Sequence, residues 1–264
     1  PGLQTLRHQV AIGAGVEATI LQTFSGPDGV AYHTNAVTEV QVGDGANLRW
    51  ITAQEEGDEA IHLSMLLPRL GADVRFDPFV FAAGSLVARS ETRLAFEGEG
   101  SQVGLRGATI ARGRQHMDTT LVVNHSVPRC GGQEYFKAAM DGESQGVFQG
   151  KIIVEPGAQK TDSKMMSRAL LLSGTSEFVN KPELEIFADD VVCGHGATCG
   201  QIDEAMLFFM RSRGIEKAEA ERMLVQAFLA DAIELIADEA IIEALEARTR
   251  RWLGMAAEGE AGTV

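Results

Sequence analysis

Short runs that alternate apolar and polar residues fill the chain up to about residue 198, and glycine, aspartate, asparagine or serine interrupts them at close intervals. An alternation of period two, bounded by turn residues, predicts half-buried β-strands. Most of the 29 glycines lie in this part of the chain, where tight corners favour residues that tolerate a positive φ. The clearest strand segments are Ala18–Phe24, Leu121–Val127, Val147–Val154, Ala169–Ser173 and Glu183–Phe187.

Many short strands at close spacing are compatible with three all-β architectures, which are a sandwich, a barrel and a β-solenoid. Two-residue hairpin signals are few, and corners such as Asp44-Gly45, Gly98-Glu99-Gly100 and Gly131-Gly132 separate successive strand segments. A stack of coils therefore fits at least as well as a sandwich. The sequence has no fixed repeat length that would decide between them.

The pattern changes to helical after Gly200. The segment Gln201–Ser212 has two acidic residues in its first turn, and arginine and Gly214 at or beyond its end, so both ends of a helix are marked. Further helices are predicted over 216–236 and 238–253, the last with an apolar and a charged side. The sequence thus predicts a core domain over 1–199, a small helical domain over 200–254 and a disordered tail over 255–264.

The middle predicted helix is unusually apolar. Between Met223 and Ile236 only Gln226, Asp231 and Glu234 are polar, so this helix must be covered on more than one side. Two interpretations remain open. In one, the helix offers a surface to a partner protein, and in the other three helices form a compact cap that buries its apolar residues internally.

Charge and cysteine content limit the class of protein. A formal net charge of −14 argues against a nucleic-acid-binding or anionic-membrane surface, and no apolar run approaches the roughly 20 residues that span a bilayer. Three cysteines are too few for a disulfide framework and favour a reducing compartment, which we expect to be the cytoplasm. The start at Pro1, without a signal-like segment, suggests that residues upstream have been lost.

Two of the three cysteines lie close to a histidine at the boundary between the two patterns. Cys193 and His195 are two residues apart on a predicted strand, so their side chains should point to the same side. A thiolate and a neutral imidazole are good ligands for iron or zinc. A single Cys-x-His is nevertheless a weak metal motif, and buried packing of the cysteine is an equally open interpretation. If the pair binds metal, other ligands must come from elsewhere in the fold or from another chain.

The remaining candidates are weaker. Cys199 is predicted to be a packing residue, Cys130 a residue of a turn, and His125 an isolated strand histidine with its hydrogen bonds satisfied. Neither a nucleophile elbow nor a phosphate-binding loop occurs, so a self-sufficient enzyme is disfavoured. A free-standing β-solenoid enzyme and a purely structural dimeric solenoid remain as alternatives.

The segment "LEIFADDVVCGHGATCGQIDEAMLFFMRSRGI", 184–215, closely resembles the carboxy-terminal signature of the SufD branch of the SufB/SufD family, which belongs to the Suf iron–sulfur cluster assembly machinery. The segments "GVFQGKIIVEPGAQKTDSKMMSRALLLS", 146–173, and "DTTLVVNHSV", from residue 118, resemble the same family. The resemblance covers at least residues 118–254. Its most specific part is the Asp-Asp-Val-x-Cys-x-His-Gly-Ala-Thr string, whose Cys-x-His-Gly-Ala-Thr part the SufB branch lacks.

This resemblance implies a right-handed parallel β-helix core followed by a small α-helical domain. It also implies a non-enzymatic scaffold subunit that pairs with SufB through the core and contacts the ATPase SufC through its helices in a SufBCD complex. By position, His195 and Cys193 match the family residues thought to hold the nascent iron–sulfur cluster, which would be transient and shared with the partner. No nucleotide is expected to bind this chain, and an isolated chain could form a homodimer because an exposed sheet edge tends to pair.

Overall fold

The computed structural model describes residues 2–255, and the predicted tail falls outside the described residues except for Met255. Within this range the chain forms fourteen β-strands followed by three α-helices. The strands are β1 Leu3–Ile12, β2 Glu17–Ser25, β3 His33–Val42, β4 Asn47–Glu55, β5 Ile61–Leu70, β6 Arg75–Ala82, β7 Val87–Phe96, β8 Gln102–Ala111, β9 His116–His125, β10 Gly131–Met140, β11 Gln145–Val154, β12 Asp162–Leu171, β13 Glu177–Ile186 and β14 Val192–Gly200.

The strands build a two-sided parallel solenoid. Odd-numbered strands form one seven-stranded sheet, which we call sheet A, in the order β1 to β13. Even-numbered strands form the opposite sheet B in the order β2 to β14. Each coil contributes one strand to each sheet, and neighbouring strands pair in parallel. The parallel β-helix implied by the family resemblance is confirmed, and the sandwich and the barrel are excluded.

The lengths of the coils explain why the sequence shows no fixed repeat. Ile61 pairs with Val87, 26 residues later, whereas Gln145 pairs with Glu177, 32 residues later. The strands are similar in length and the connections between them vary from four to seven residues. Residues on neighbouring coils therefore stay in register, although the number of residues that separates them in the sequence changes from coil to coil.

Alternate residues of each strand fill the interior of the solenoid. In β11, Phe148, Ile152 and Val154 are buried, whereas the alternate residues Gln149, Lys151 and Ile153 are only half-buried. Phe76 and Phe96 on neighbouring coils are also fully buried in this core. The apolar residues of the alternating sequence pattern therefore face the inside of the coil, and the polar residues between them face the outside.

The three predicted helices are observed close to their expected bounds. They are α1 Glu204–Arg211, α2 Lys217–Ile233 and α3 Glu239–Trp252, with a short 3-10 helix, Glu234–Ile236, after α2. An acidic side chain caps the amino terminus of each α-helix, namely Asp203, Glu216 and Asp238. Gly214 follows α1 with a φ of 86°, a conformation that favours glycine.

The helices pack on the outer face of sheet B. Leu229 and Ile233 of α2 are fully buried against Phe79 and Phe81 of β6 and against apolar residues of α3. The apolar character of α2 is thus explained by the compact cap, and the inference of a partner surface from this helix is not needed. Among residues 2–255, the structure contains no helix that is both long enough and apolar enough to cross a membrane.

Candidate functional site at the last coil

Strand β14 carries both candidate ligands and ends sheet B. It pairs with β12 alone, with Cys193 opposite Ser163 and His195 opposite Met165. Cys193 packs against the interior core, and the alternation of side chains places His195 on the same side of the strand. The two side chains therefore share a face at the end of the solenoid.

The two residues differ in burial. The side chain of His195 is exposed, whereas Cys193 is half-buried. Burial raises the pKa of the Cys193 thiol, the backbone of Ser163 lowers it by less, and the charges of Asp162 and Glu134 raise it further. The thiol is therefore protonated at neutral pH unless a cation or a base is bound close to it.

The glycines that flank His195 have different surroundings. A Cβ atom at Gly194 would meet no atom within 4 Å. A Cβ atom at Gly196 would lie 2.6 Å from Cε of Met166, so a larger residue there requires the flexible end of the Met166 side chain to move. The open space predicted around the pair is present at Gly194 and is absent at Gly196.

A cavity of about 610 Å³ opens beside this strand, between the outer face of sheet B and the helices. Its wall includes Cys193, His195 and Tyr135 from the sheet, and Asp231 and Leu235 from α2 and the 3-10 helix. Because the side chains of Cys193 and His195 share the inner side of the sheet, strand β14 itself forms this wall, and the candidate ligands lie on the opposite side of the strand from the cavity.

Within residues 2–255, no three side chains of histidine, cysteine, aspartate or glutamate lie close enough together to hold a metal ion. Cys193 and His195 provide a soft sulfur donor and an imidazole donor. A metal ion held by this pair would need further ligands, and the metal-binding role of the two residues stays a prediction. Completion of the ligand set requires a donor of another type, a bound inorganic ligand or a second chain.

Two other predictions for cysteines can be compared with their positions. Cys199 is exposed near the end of β14, so its prediction as a packing residue is wrong. Cys130 follows a turn, is buried, and has its thiol within 3.6 Å of the backbone oxygens of Gly98 and Pro128. Burial raises the pKa of Cys130, which argues against a reactive thiol there.

The histidine predictions missed two buried environments. Both ring nitrogens of His125 lack a hydrogen-bond partner in the described part of the chain, so the prediction of satisfied hydrogen bonds is wrong. The ring stacks on Phe96 at 4.5 Å, and burial lowers its pKa to about 4. His62, which had no predicted partner, lies 2.5 Å from Glu56 inside the first coils.

The sequence analysis also missed a buried acid near Cys193. Glu134 of β10 is 1% exposed, and burial raises its pKa to about 8, although its own backbone and the Ser163 hydroxyl lower that value by smaller amounts. The signal was present in the alternation of β10, which places Glu134 on the inward side with Phe136. A charged residue type at an inward position identifies such a site once the strand is known.

A charged cluster joins the solenoid to α2. Lys137 Nζ and the Tyr135 hydroxyl both donate to Oδ2 of Asp231, the hydroxyl at 2.6 Å. Lys137 also lies 4.3 Å above the ring of Phe228. We call Lys137, Tyr135 and Asp231 the clasp, because these three residues link sheet B to the helix beside the cavity.

Comparison with known proteins identifies the family. A family profile described as "SUF system FeS cluster assembly, SufBD core domain" matches residues 2–228. The chain belongs to the SufBD family. It is 31% identical over 242 residues to the iron–sulfur cluster assembly protein SufD of Escherichia coli, an alignment that covers 92% of this chain and 57% of that protein.

Other SufBD relatives give a similar result. A SufBD family protein of Synechocystis is 30% identical over 245 residues, which is 92% of this chain and 53% of the relative. A SufBD family protein of Mycobacterium tuberculosis is 30% identical over 264 residues, which is 97% of this chain and 66% of the relative. The chain therefore spans a little over half to two thirds of the length of these relatives. The family predicted from segments 118–127, 146–173 and 184–215 is confirmed.

Proposed function

We propose that this chain is a non-enzymatic scaffold subunit of the Suf iron–sulfur cluster assembly machinery. In this role Cys193 and His195 hold a nascent cluster that is shared with SufB, and the helical domain contacts the ATPase SufC. Family membership supports a role in cluster assembly. The observation that carries the proposal is the incomplete pair of ligands, with His195 exposed, at the open end of a rigid solenoid.

The end of the solenoid has the character of a protein interface. β13 and β14 are both edge strands at this end, so their outer backbone groups are free to pair with another chain. Val179, Phe187 and Val192 are exposed there, the last two each to 60%. Large apolar side chains next to free strand edges favour association with a second β-rich subunit, for which SufB is our candidate.

A second apolar surface lies on α1. Met206, Phe208 and Phe209 are exposed, and Phe208 is 75% exposed. These residues are separate from the apolar residues of α2 that are buried against sheet B. We assign the α1 surface to the ATPase SufC. It replaces α2 as the expected contact, because α2 is covered within the chain.

The proposed subunit binds no nucleotide and performs no turnover by itself. The cluster is its cargo, and ATP hydrolysis belongs to the partner ATPase. Three cysteines without a disulfide among the described residues fit a reducing compartment, and the cytoplasm is our proposed location.

Co-purification of the chain with candidate SufB and SufC subunits tests the two surfaces separately. Val192→Asp places a charge at the end of the solenoid and should remove SufB while SufC is retained. Phe208→Asp should do the reverse. Loss of neither partner would contradict the proposed surfaces, and a chain that forms only a homodimer would favour the structural-solenoid alternative.

Cluster formation in the reconstituted complex tests the site. His195→Ala should lower the amount of iron and sulfide assembled per complex. The matched control is His116→Ala, since His116 lies on sheet A away from β14. Equal cluster content in wild type and His195→Ala would remove His195 from the proposal.

A further inference from the structure

Glu134 is a buried carboxyl group that the protein does not satisfy. In the part of the chain that the structure describes, neither of its side-chain oxygens has a hydrogen bond of good geometry, although its own backbone N–H and the Ser163 hydroxyl interact with it weakly, and the residue is 1% exposed. A buried polar group without a partner destabilises the folded state. In native proteins such a group calls for a specific explanation, for example a bound ion, a bound water or a functional role.

The position of this carboxyl is set by a glycine on the same strand. A Cβ atom placed at Gly132 would lie 2.5 Å from Oε1 of Glu134 and 2.7 Å from Oγ of Ser163. The Glu134 side chain thus turns back over Gly132 and lies beside Ser163. The Ser163 hydroxyl is also buried without a hydrogen bond of good geometry, and it faces the Glu134 carboxyl, whose pKa it lowers by a small amount.

The strand register connects this cluster to Cys193. Gly132 pairs with Ser163, and Ser163 pairs with Cys193, so the three residues form one inward-facing row along the solenoid. Neighbouring strands are roughly 4.8 Å apart. A carboxyl, a hydroxyl and a thiol therefore follow one another from the interior towards the open end where His195 is exposed.

We propose that Glu134 and Ser163 extend the Cys193 site into the solenoid, and that the three side chains together bind a divalent transition-metal ion of the Fe²⁺ type. On binding, the flexible Glu134 side chain, which already lies beside Ser163, extends along this row towards Cys193. The acid and the thiol each lose a proton to the solvent as their oxygen and sulfur bind the cation. This inference rests on the proposed role of Cys193 as a metal ligand.

The two acidic side chains of this site favour a cation as the ligand. A divalent cation that displaces the protons of the Glu134 carboxyl and the Cys193 thiol compensates the two anions that result and binds the buried oxygen atoms. Carboxylate, hydroxyl and thiolate donors together suit a transition metal of intermediate softness. The row also supplies a non-thiol donor for the ligand set that Cys193 and His195 leave incomplete.

Anaerobic titration of the full 264-residue chain with Co²⁺ tests this site, because the near-ultraviolet charge-transfer band between thiolate and Co²⁺ reports binding at a cysteine. Glu134→Gln should weaken the Co²⁺ affinity by at least about tenfold, and Ser163→Ala should weaken it by a smaller factor. Glu177→Gln is the control for the acid, since Glu177 is exposed on β13. Ser167→Ala is the control for the hydroxyl, since Ser167 is a buried serine on the same face of β12.

The same titration separates failure of this inference from failure of the proposed function. Loss of the band in Cys193→Ala, with full affinity in Glu134→Gln, would overturn the inward extension and leave Cys193 as a ligand. An unchanged Co²⁺ affinity in Cys193→Ala would overturn both.

Thermal melting without metal gives a second readout. Glu134→Met should raise the melting temperature if the acid is kept for metal binding, because the variant removes an unpaired buried group. A lower melting temperature together with unchanged Co²⁺ affinity would show that the acid has only a structural role, as with a bound water.

Discussion

The clasp between the solenoid and α2 should be energetically asymmetric. The side chain of Lys137 is 4% exposed, whereas that of its partner Asp231 is 59% exposed. Burial lowers the pKa of Lys137, and the hydrogen bond that Lys137 donates to Asp231 opposes this effect. Removal of the aspartate leaves a buried ammonium group unpaired, while removal of the lysine leaves a carboxylate that water can solvate.

The magnitudes follow from these positions. A hydrogen bond to a charged group contributes about 1.5–3 kcal/mol, and the exposure of Asp231 reduces the effect. We therefore expect Asp231→Ala to lower the stability of the helical domain by about 2 kcal/mol. Lys137→Met should cost less than about 1 kcal/mol, because methionine can pack against the rings of Phe228 and Tyr135. The double variant should resemble Lys137→Met alone.

Hydrogen exchange measured by mass spectrometry is the suitable assay, because a solenoid and its cap can open separately. Amides of α2 should lose protection in Asp231→Ala, and amides of β3 in the first coils should not. The clasp is present at neutral pH, since the hydrogen bonds from Lys137 and then Tyr135 lower the pKa of Asp231. It should be lost only as the pH falls through that lowered pKa. Equal losses in the two single variants, or an additive double variant, would refute the asymmetry.

Three further predictions concern stability. Phe148→Ala removes a fully buried ring from the solenoid core and should lower the free energy of unfolding by about 3–5 kcal/mol. Phe208→Ala removes an exposed ring and should change that free energy by less than about 0.5 kcal/mol. Urea denaturation measures both effects, and equal effects would contradict the burial pattern. Gly196→Ala should change the melting temperature only slightly, because its Cβ would meet only the flexible end of the Met166 side chain; a loss as large as that of Phe148→Ala would contradict this. Burial lowers the pKa of His125 from 6.5 to about 4. Because the unfolded chain takes up this proton first, the free energy of unfolding should be unaffected above pH 6.5 and should decrease by about 3 kcal/mol as the pH falls to 4. Wild type should therefore lose stability relative to His125→Leu over that range, and parallel pH profiles of the two proteins would contradict this.

Local patterns predicted the elements of this fold well, for physical reasons. The alternation in segments such as Val147–Val154 is the direct consequence of one inward and one outward face. Caps and charges marked the helices, so α1 and α3 were predicted to within a few residues. The choice among sandwich, barrel and solenoid depended on pairing between distant strands. Pairs such as Ile61 with Val87 and Gln145 with Glu177 have different separations, and no periodic pattern could identify them.

The candidate site was predicted in part. The spacing of Cys193 and His195 predicted a shared face, because that relation depends on one strand alone. The proximity of Glu134 to Ser163 and Cys193 could not be predicted, because these residues come from three different coils and the Glu134 side chain turns back over Gly132. The sequence also did not decide whether the chain itself or a partner covers the apolar residues of α2. Burial of an apolar helix by sheet B or by a partner gives the same local pattern.

The central claim is that an exposed imidazole at the last coil contributes to holding iron once a partner subunit is present. Iron K-edge absorption spectroscopy of the anaerobically assembled complex tests this claim most directly. The account predicts a nitrogen ligand in the iron coordination shell of the wild-type complex, and its loss in His195→Ala but not in His116→Ala. An all-sulfur shell that is identical in wild type and His195→Ala would contradict it.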